Sequence, residues 1–410
     1  MIMPEYPFPV LSGEKRRIAA FLHELSRNHQ ITVVALGDPK FSEFYSNHDD
    51  LWIKEIIPHK FKKFTPAVKA FCTSKTYLEV KVTDELFRKT INNLLRTNDF
   101  DIIWINFLNL FASIFDEIKI INSYPNKRRP LLLLDQHSLN KSMWESFLTN
   151  SKSLVQKFYF SRELRKNIEL EKRYLRYFDT IMSVSDEEKR ITENYVSAPE
   201  RVIVVPNGVD VDYFRPAPKI TLNTSPKLVF AGRLDALPNE DGILWFLKDI
   251  FPRILKEFSN TQFLVAGSNP TRLICRKASD RIRIFSNPSD LRIFYSQADI
   301  FVIPLRSGAG TKLKTLEAMA MALPIVSTDI GVEGLNVVAD DHLYIANDPG
   351  YFADRVMSLL AEPEKAKTMG QRARSLVEKY YTWRDIAKSI EAKIISSNIS
   401  KENAIRHSLP

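Results

Sequence analysis

Residues 304–319 read PLRSGAGTKLKTLEAM. They follow the apolar run at 300–304, pass through a turn of small residues and enter a helical pattern with Leu313, Leu316 and Ala320 on one face. A strand that leads through such a turn into a helix is typical of a parallel α/β sheet. The free amide groups at the helix start indicate an anion site, which the helix dipole and Lys312 or Lys314 would strengthen.

The alternation of strand and helix extends in both directions from this stretch. Predicted strands occupy 31–36, 102–105, 131–134, 180–184, 202–205, 227–231, 262–266, 283–285, 300–304 and 324–328, and predicted helices include 14–28, 84–97, 152–177, 240–258, 289–296, 351–361 and 364–380. This pattern favours an α/β fold with two Rossmann-like, doubly wound parallel sheets. We predict domains at 1–200 and 201–383, followed by a terminal segment at 384–410.

Composition narrows the class of protein. The 410 residues are 44% hydrophobic and 26% charged, which excludes a disordered chain. Cys72 and Cys275 are the two cysteines, so a disulfide framework and a cysteine-based zinc site are excluded and a cytoplasmic setting is favoured. No apolar run reaches the ~20 residues that cross a bilayer, and the first residues do not resemble a secretory signal.

The net charge of +9 favours an acidic partner. Segments 59–71 and 152–178 interleave Lys and Arg with Phe, Tyr and Leu, which at helical spacing forms a basic amphipathic surface suited to an anionic membrane. A solvated helix packed on its own domain explains the second segment equally well. No nucleic-acid-binding module is recognisable, so nucleic acid is not expected as a partner.

Ligands of open parallel sheets bind just beyond the carboxyl ends of the strands. This rule selects His137, Asn207, Gly208, Gly232, Arg233, Gly267, Ser268, Ser286, Asn287 and the turn 307–311. Several of these are small, as a close approach of backbone to ligand requires. Glu317, in the following helix, could accept hydrogen bonds from vicinal hydroxyls such as those of a ribose.

Four motifs occur in a fixed order: VVPNGVD at 204–210, FAGRL at 230–234, LEAMA at 316–320 and LPIVST at 323–328. In order and spacing they resemble the donor domain of retaining GT-B glycosyltransferases of group 1 (family 4), most specifically over residues 200–345. The resemblance implies two domains facing a central cleft, an acceptor-binding domain at 1–200, a nucleotide-sugar donor domain at 201–383 and a terminal helix, beginning near Trp383, that crosses back to the first domain. It also implies transfer of a sugar to an acceptor hydroxyl with retention of configuration.

The resemblance assigns roles to individual residues. It implies that Arg233 binds the donor diphosphate, that Glu317 binds the donor ribose and that His137 lies near the transferred sugar. The first glutamate of the family's Glu-x7-Glu motif falls at Ala309, and the lysine expected about five residues after Arg233 is also absent. Lys312 is our candidate for the missing positive charge. The predicted catalytic residues are therefore His137, Arg233 and Lys312, and the predicted donor-binding residues are Gly13, Asn207, Gly232, Gly267, Ser286, Gly308, Gly310, Thr311, Leu313 and Glu317. No metal or cofactor is expected.

These departures resemble a branch of bacterial sugar transferases associated with exopolysaccharide assembly. A saccharide or lipid-linked saccharide acceptor follows, with the enzyme at the inner face of the plasma membrane. The loop ending at Gly13 and Glu14 resembles the family's glycine-rich loop, but the strand before it is reduced to residues 1–3, and we prefer a misassigned start as the explanation. Two alternatives remain open: a catalytically inactive sugar-nucleotide-binding protein, suggested by Ala309, and a GT-B nucleotide-sugar epimerase, which would need no acceptor.

Overall fold

The computed structural model describes residues 1–8, 10, 12–39, 53–59, 64–120, 129–136, 144–145, 148–149, 153–217, 225–308 and 310–394. The chain divides into two compact units, Met1–Val205 and Pro206–Pro410. Each unit is built on one parallel sheet with its own hydrophobic core. The predicted fold class, two Rossmann-like parallel-sheet domains, is confirmed.

In its described residues the first unit has seven parallel strands, in the order β3-β2-β1-β4-β5-β6-β7. They are β1 Ile2–Met3, β2 Thr32–Gly37, β3 Ile53–Pro58, β4 Ile102–Asn106, β5 Leu131–Asp135, β6 Thr180–Ser183 and β7 Val202–Val204, and the helices are α1 Gly13–Leu25, α2 Phe64–Cys72, α3 Tyr77–Val82, α4 Glu85–Thr97, α5 Leu108–Ser113, α6 Phe115–Lys119, α7 Leu154–Tyr174 and α8 Asp186–Glu193. The strand before α1 is present with two residues, and it occupies the centre of the sheet between β2 and β4.

A buried ion pair ties α1 to the carboxyl end of β5. The Arg17 guanidinium donates to both carboxylate oxygens of Asp135 at 2.9–3.1 Å, and it also donates to the carbonyl of Val205 at 3.0 Å. Arg17 and Asp135 are 1% and 0% exposed. Because an unpaired charge at such a position would be strongly destabilising, each residue depends on the other.

The described part of the second unit has six parallel strands, in the order β10-β9-β8-β11-β12-β13. They are β8 Lys227–Ala231, β9 Gln262–Gly267, β10 Ile282–Ser286, β11 Ile300–Ile303, β12 Ile325–Ser327 and β13 Tyr344–Ile345, and the helices are α9 Leu237–Trp245, α10 Phe251–Glu257, α11 Arg272–Cys275, α12 Arg292–Tyr295, α13 Leu313–Ala320, α14 Asp329–Val332, α15 Pro349–Ala361, α16 Pro363–Tyr380 and a last helix, α17, over 383–394. The chain winds from β8 towards β10 on one side and returns at β11 on the other. The order of the strands therefore reverses between β8 and β11.

Two predicted helices of this unit were wrong in their extent. The helix expected at 240–258 is interrupted by a π-helical turn, Phe246–Ile250, between α9 and α10. Pro252 stands at the start of α10 and has no N–H group for the regular ladder, which explains the wider turn before it. The helix expected at 289–296 shortens to α12, because the Asp290 carboxylate accepts a hydrogen bond from the Arg292 N–H at 2.8 Å and forms a turn there.

Cys72 and Cys275 are both free and exposed. Of the helices that the structure describes, none combines the length and the apolar character that crossing a bilayer requires.

Candidate functional site

The predicted ligand-binding edge of the second unit lies where β8 and β11 end, at the reversal of strand order. Gly232 follows β8, and Gly308 and Gly310 belong to the turn between β11 and α13. Their φ angles are 149°, 122° and 74°, a region of backbone space that favours glycine. These turns can therefore expose backbone amides that a side chain would otherwise shield.

Close packing of backbone holds the first turn in place. A Cβ on Gly267, at the end of β9, would lie 1.6 Å from the carbonyl oxygen of Gly232. The N–H of Gly232 donates to the carbonyl of Ala266 at 3.1 Å. The predicted donor residues Gly232 and Gly267 are thus brought together, and Gly267 has no room for a larger residue.

The start of α13 carries a polar group that points to a ligand. Thr311 is 8% exposed, and among the described residues its hydroxyl has no hydrogen-bond partner. The side-chain amide of Asn207 makes a long hydrogen bond of 3.5 Å to the Thr311 carbonyl, and the Thr315 hydroxyl donates to the Gly331 carbonyl at 2.6 Å. A fixed turn with an unused buried hydroxyl suits a polar ligand.

Arg233, Lys312 and Lys314 lie at these turns, and Arg306, in the second turn, pairs with Asp241 at 2.5 Å. Arg233 is exposed and pairs with Asp235 at 3.1 Å. Lys312 pairs with Glu333 at 3.1 Å and also donates to the Gly310 carbonyl. Lys314 donates to the side-chain oxygen of Asn239 at 2.7 Å.

The Lys314 ammonium lies 4.0 Å from the centre of the Phe230 ring, a cation–π contact. A Cβ on Gly232 would lie 2.9 Å from the Lys314 nitrogen, so the lysine lies directly against the glycine turn. Burial lowers the pKa of Lys314 to about 7, and the charge on Lys312 acts in the same direction. This side chain is therefore close to losing its charge at neutral pH.

Glu317 projects from α13 into the protein and is 4% exposed. Its carboxylate accepts a hydrogen bond of 2.7 Å from the hydroxyl of Tyr295. The Tyr295 ring stacks on Phe301 with 4.8 Å between ring centres and 9° between planes, so the hydroxyl is fixed by packing. The carboxylate is held in one orientation rather than solvated.

The other predicted residues are distributed as follows. Gly13 is the first residue of α1, Ser286 ends β10 beside Gly267 in the β9–β10 register, and Leu313 is the first residue of α13. His137 and Ala309 lie outside the described residues. The sequence pattern indicated no role for Tyr295 or Asn239, although Asn239 lies in the segment 237–239, where the resemblance expects a lysine. In the described part of the chain, no group of three or more His, Cys, Asp and Glu side chains is arranged to hold a metal ion.

The assembled site combines glycine turns, a helix start with a buried hydroxyl, fixed cations and an oriented carboxylate. The turns and cations suit a phosphate-bearing ligand, because backbone amides and fixed positive charges stabilise such anions. The carboxylate suits a ligand that also donates from hydroxyl groups.

Two family models match the chain. Glycosyltransferase Family 4 matches residues 12–213, and Glycosyl transferases group 1 matches residues 225–362. The family 4 match lies in the first unit except for residues 206–213, and the group 1 match lies entirely in the second unit.

Curated relatives are similar at low identity. An uncharacterized 44.6 kDa protein in the cps region of Klebsiella pneumoniae is 26% identical over 66% of this chain and 68% of its own length. D-inositol 3-phosphate glycosyltransferase of Segniliparus rotundus is 28% identical over 45% of each protein. Phosphatidyl-myo-inositol mannosyltransferase of Mycobacterium leprae is 27% identical over 38% of this chain and 44% of that one. The chain thus aligns with less than half the length of the latter two relatives.

Solved structures share the fold across nearly the whole chain. Sucrose-phosphate synthase of Thermosynechococcus elongatus superposes with a TM-score of 0.73 at 18% identity, covering 97% of this chain and 98% of that one. HepE of Anabaena, in complex with UDP and glucose, gives a TM-score of 0.67 at 12% identity, covering 96% and 98%.

Proposed function

The chain belongs to the group 1 and family 4 glycosyltransferases, and from this premise we propose that it transfers a sugar from a nucleotide-sugar donor to an acceptor hydroxyl with retention of configuration. The observation that carries the proposal is the convergence of anion-binding turns and the oriented Glu317 carboxylate at the ends of β8 and β11. A nucleoside diphosphate has both features that this site suits, an anionic diphosphate and a ribose with two adjacent hydroxyls.

In the proposed reaction, negative charge develops on the leaving diphosphate. Arg233, the lysines of the 310–314 segment and the amides at the start of α13 stabilise that charge, which is the kind of contribution that usually dominates such catalysis. Glu317 accepts hydrogen bonds from the ribose hydroxyls and so fixes the donor. We place His137 near the transferred sugar. The leaving phosphate takes up the proton of the acceptor hydroxyl, which attacks from the same face of the sugar. No metal is assigned to the reaction.

The names and bound ligands of similar proteins support a choice of donor and acceptor. HepE is described in complex with UDP and glucose, which makes UDP the first nucleotide to test. One relative is a protein of a cps region, and another is named a phosphatidyl-myo-inositol mannosyltransferase. These names support an acceptor in cell-surface polysaccharide or glycolipid assembly. We propose a saccharide or lipid-linked saccharide acceptor, used on the cytoplasmic side of the plasma membrane.

A surface of the first unit supports contact with anionic lipid. Phe71 of α2 and Phe158 of α7 are 43% and 62% exposed, with ring centres 6.4 Å apart. Arg162 lies 5.1 Å from the centre of the Phe71 ring and donates to the Phe71 carbonyl at 2.9 Å. Leu154, at the start of α7, is 83% exposed. Apolar groups beside fixed cations are the chemistry by which amphipathic helices rest on an anionic bilayer.

Flotation with vesicles tests that contact. Wild-type protein should float with phosphatidylglycerol-containing vesicles at low salt and less at high salt, because the electrostatic part is screened. Phe158→Ser should reduce flotation, whereas Leu273→Ser, which removes an exposed leucine from α11 of the second unit, should not. Equal flotation of all three proteins would disprove a role for this surface.

A panel of UDP, GDP, ADP and their sugars, measured by thermal shift, tests the proposed donor site. A ligand that binds the folded state raises its stability by mass action. We expect one nucleotide to raise the melting temperature selectively, and we expect Arg233→Ala and Glu317→Ala to abolish that shift. The exposed-residue controls Arg276→Ala and Glu364→Ala should retain it. If the folded wild-type protein responds to none of the nucleotides, the transferase proposal fails.

A further inference from the structure

We propose that Lys314, rather than Lys312, is the lysine that binds the diphosphate of the donor. This inference rests on the proposed function, because it names the cation of that same site. Sequence spacing favours Lys312, which lies in the turn itself, but the contacts of the two side chains point to different roles.

The Lys314 ammonium lies beside the turn after β8 and the start of α9. It contacts the Gly232 turn after β8, the Phe230 ring of β8 and the Asn239 side chain at the start of α9. The Asn239 amide donates in turn to the carbonyl of Arg233 at 2.7 Å. Lys314 reaches from α13 across to the turn that follows the neighbouring strand, and its charge lies at the reversal of strand order.

The cations of the site differ in whether a carboxylate pairs with them. Arg233 and Lys312 each have a carboxylate partner, Asp235 and Glu333 respectively. Lys314 forms no ion pair with any carboxylate in the described ranges, and its polar contact is the neutral amide oxygen of Asn239. A half-buried ammonium without a counter-charge in the described ranges is unfavourable, and a bound phosphate would supply that counter-charge.

The Thr311 hydroxyl supplies an independent sign of a ligand. It is buried, and it has no hydrogen-bond partner among the described residues. The turn that carries it lies against α9, since a Cβ on Gly308 would be 3.7 Å from Pro238. Pro238 of α9 is thus close to the Gly308 turn, and its neighbour Asn239 holds the Lys314 ammonium beside the Gly232 turn.

The titration of Lys314 is consistent with this assignment. Burial lowers its pKa to about 7, and the ammonium of Lys312 lowers it further. The surrounding elements carry three ion pairs, Lys312 with Glu333, Arg233 with Asp235 and Arg306 with Asp241. They also carry Glu240, which accepts a hydrogen bond from the Thr271 hydroxyl. A diphosphate placed beside Lys314 favours the charged form, so binding is expected to draw a proton onto this nitrogen.

Isothermal titration calorimetry with UDP, GDP and ADP tests the assignment on the full chain. Loss of one charge-assisted contact should weaken binding of the preferred nucleotide about 10- to 100-fold in Lys314→Met. Lys312→Met should lose less affinity, and the exposed control Lys277→Met should match the wild type. Lys314→Gln, which can still contact Asn239, should lose affinity as Lys314→Met does.

A structural role for Lys314 predicts a different pattern. If the lysine mainly supports the fold, both variants should melt at a lower temperature without nucleotide. If its role is to bind the diphosphate, replacing the ammonium with methionine should leave the melting temperature of the nucleotide-free protein unchanged or raise it. Restoring a cation nearby, in Asn239→Lys with Lys314→Met, should recover part of the nucleotide affinity.

The outcomes separate the two proposals. Wild-type affinity in Lys314→Met and Lys314→Gln, or an equal loss in Lys312→Met, overturns the assignment and leaves the donor site intact. Failure of the wild-type protein to bind any of the three nucleotides overturns both proposals.

Discussion

The hydrogen bond from Tyr295 to Glu317 offers a test of the donor site that leaves the carboxylate itself in place. Tyr295→Phe removes one hydroxyl and retains the ring, which stacks on Phe301 and contacts Phe214 edge-on with ring centres 5.9 Å apart. Packing is therefore conserved. What changes is the 2.7 Å hydrogen bond to a carboxylate that is 4% exposed.

The expected magnitude follows from that contact. A hydrogen bond to a charged group contributes about 1.5–3 kcal/mol. For a domain of this size, each kcal/mol shifts the melting temperature by about 2–4 °C, so Tyr295→Phe should melt roughly 3–12 °C lower. Because the carboxylate is also less firmly oriented, we expect the affinity for the preferred nucleotide to fall by about 1 kcal/mol, or roughly fivefold.

Differential scanning calorimetry and nucleotide titration measure the two effects. Tyr380→Phe is the matched control, because Tyr380 is 53% exposed at the end of α16. A double-mutant cycle with Glu317→Gln isolates the pair, and we expect the effect of Tyr295→Phe to shrink when the carboxylate is already neutral. A melting temperature within about 1 °C of wild type, together with unchanged nucleotide affinity, would refute the idea that Tyr295 orients Glu317.

Three further predictions concern other parts of the molecule. Asp135→Leu should destabilise the first unit by about 3–5 kcal/mol in urea unfolding, and adding Arg17→Met should recover much of that loss, because an apolar pair replaces an unpaired buried charge. Gly267→Ala should lower both stability and nucleotide binding, because the new Cβ would overlap the Gly232 carbonyl; wild-type behaviour would disprove that close approach. UDP affinity should weaken as pH rises from about 7 to 9, since Lys314, with its pKa of about 7, loses its charge while the terminal phosphate (pKa about 6) stays ionised; the profile of Lys314→Met should be flatter over this range.

The strands of both sheets were largely predictable from the sequence, because buried parallel strands are continuous apolar runs. All of β5 and all of β11 are buried, and both were predicted within one residue of their ends. The strand β3 was missed because Lys54 and Glu55 interrupt its apolar pattern. The position of β1 in the sheet could not be predicted from the sequence either. Its two residues, Ile2 and Met3, form a central strand because β2 and β4 on either side supply its hydrogen bonds.

The location of the candidate site could be predicted from the sequence, but most of its side-chain contacts could not. Gly232, Gly308 and Glu317 follow from strand ends and motif order, which sequence records directly. The partner of Glu317 does not, because Tyr295 lies 22 residues earlier and meets it only through packing on β11. The two lysines could not be separated from sequence alone, since positions 312 and 314 project in different directions at the start of a helix.

The distribution of charge explains how the site can lack the lysine that the resemblance expects after Arg233. Recruiting Lys312 for a diphosphate would compete with its ion pair to Glu333, and recruiting Arg233 would compete with Asp235. Lys314 has no such pair to give up among the described residues, and it already lies against the Gly232 backbone, held by the Asn239 side chain. Binding an anion at Lys314 therefore does not require an ion pair to be broken, so no binding free energy is lost in that way. The Lys314 ammonium from α13 therefore places positive charge beside the segment 237–239, where the resemblance expects a lysine, and the altered motif is compatible with a working donor site.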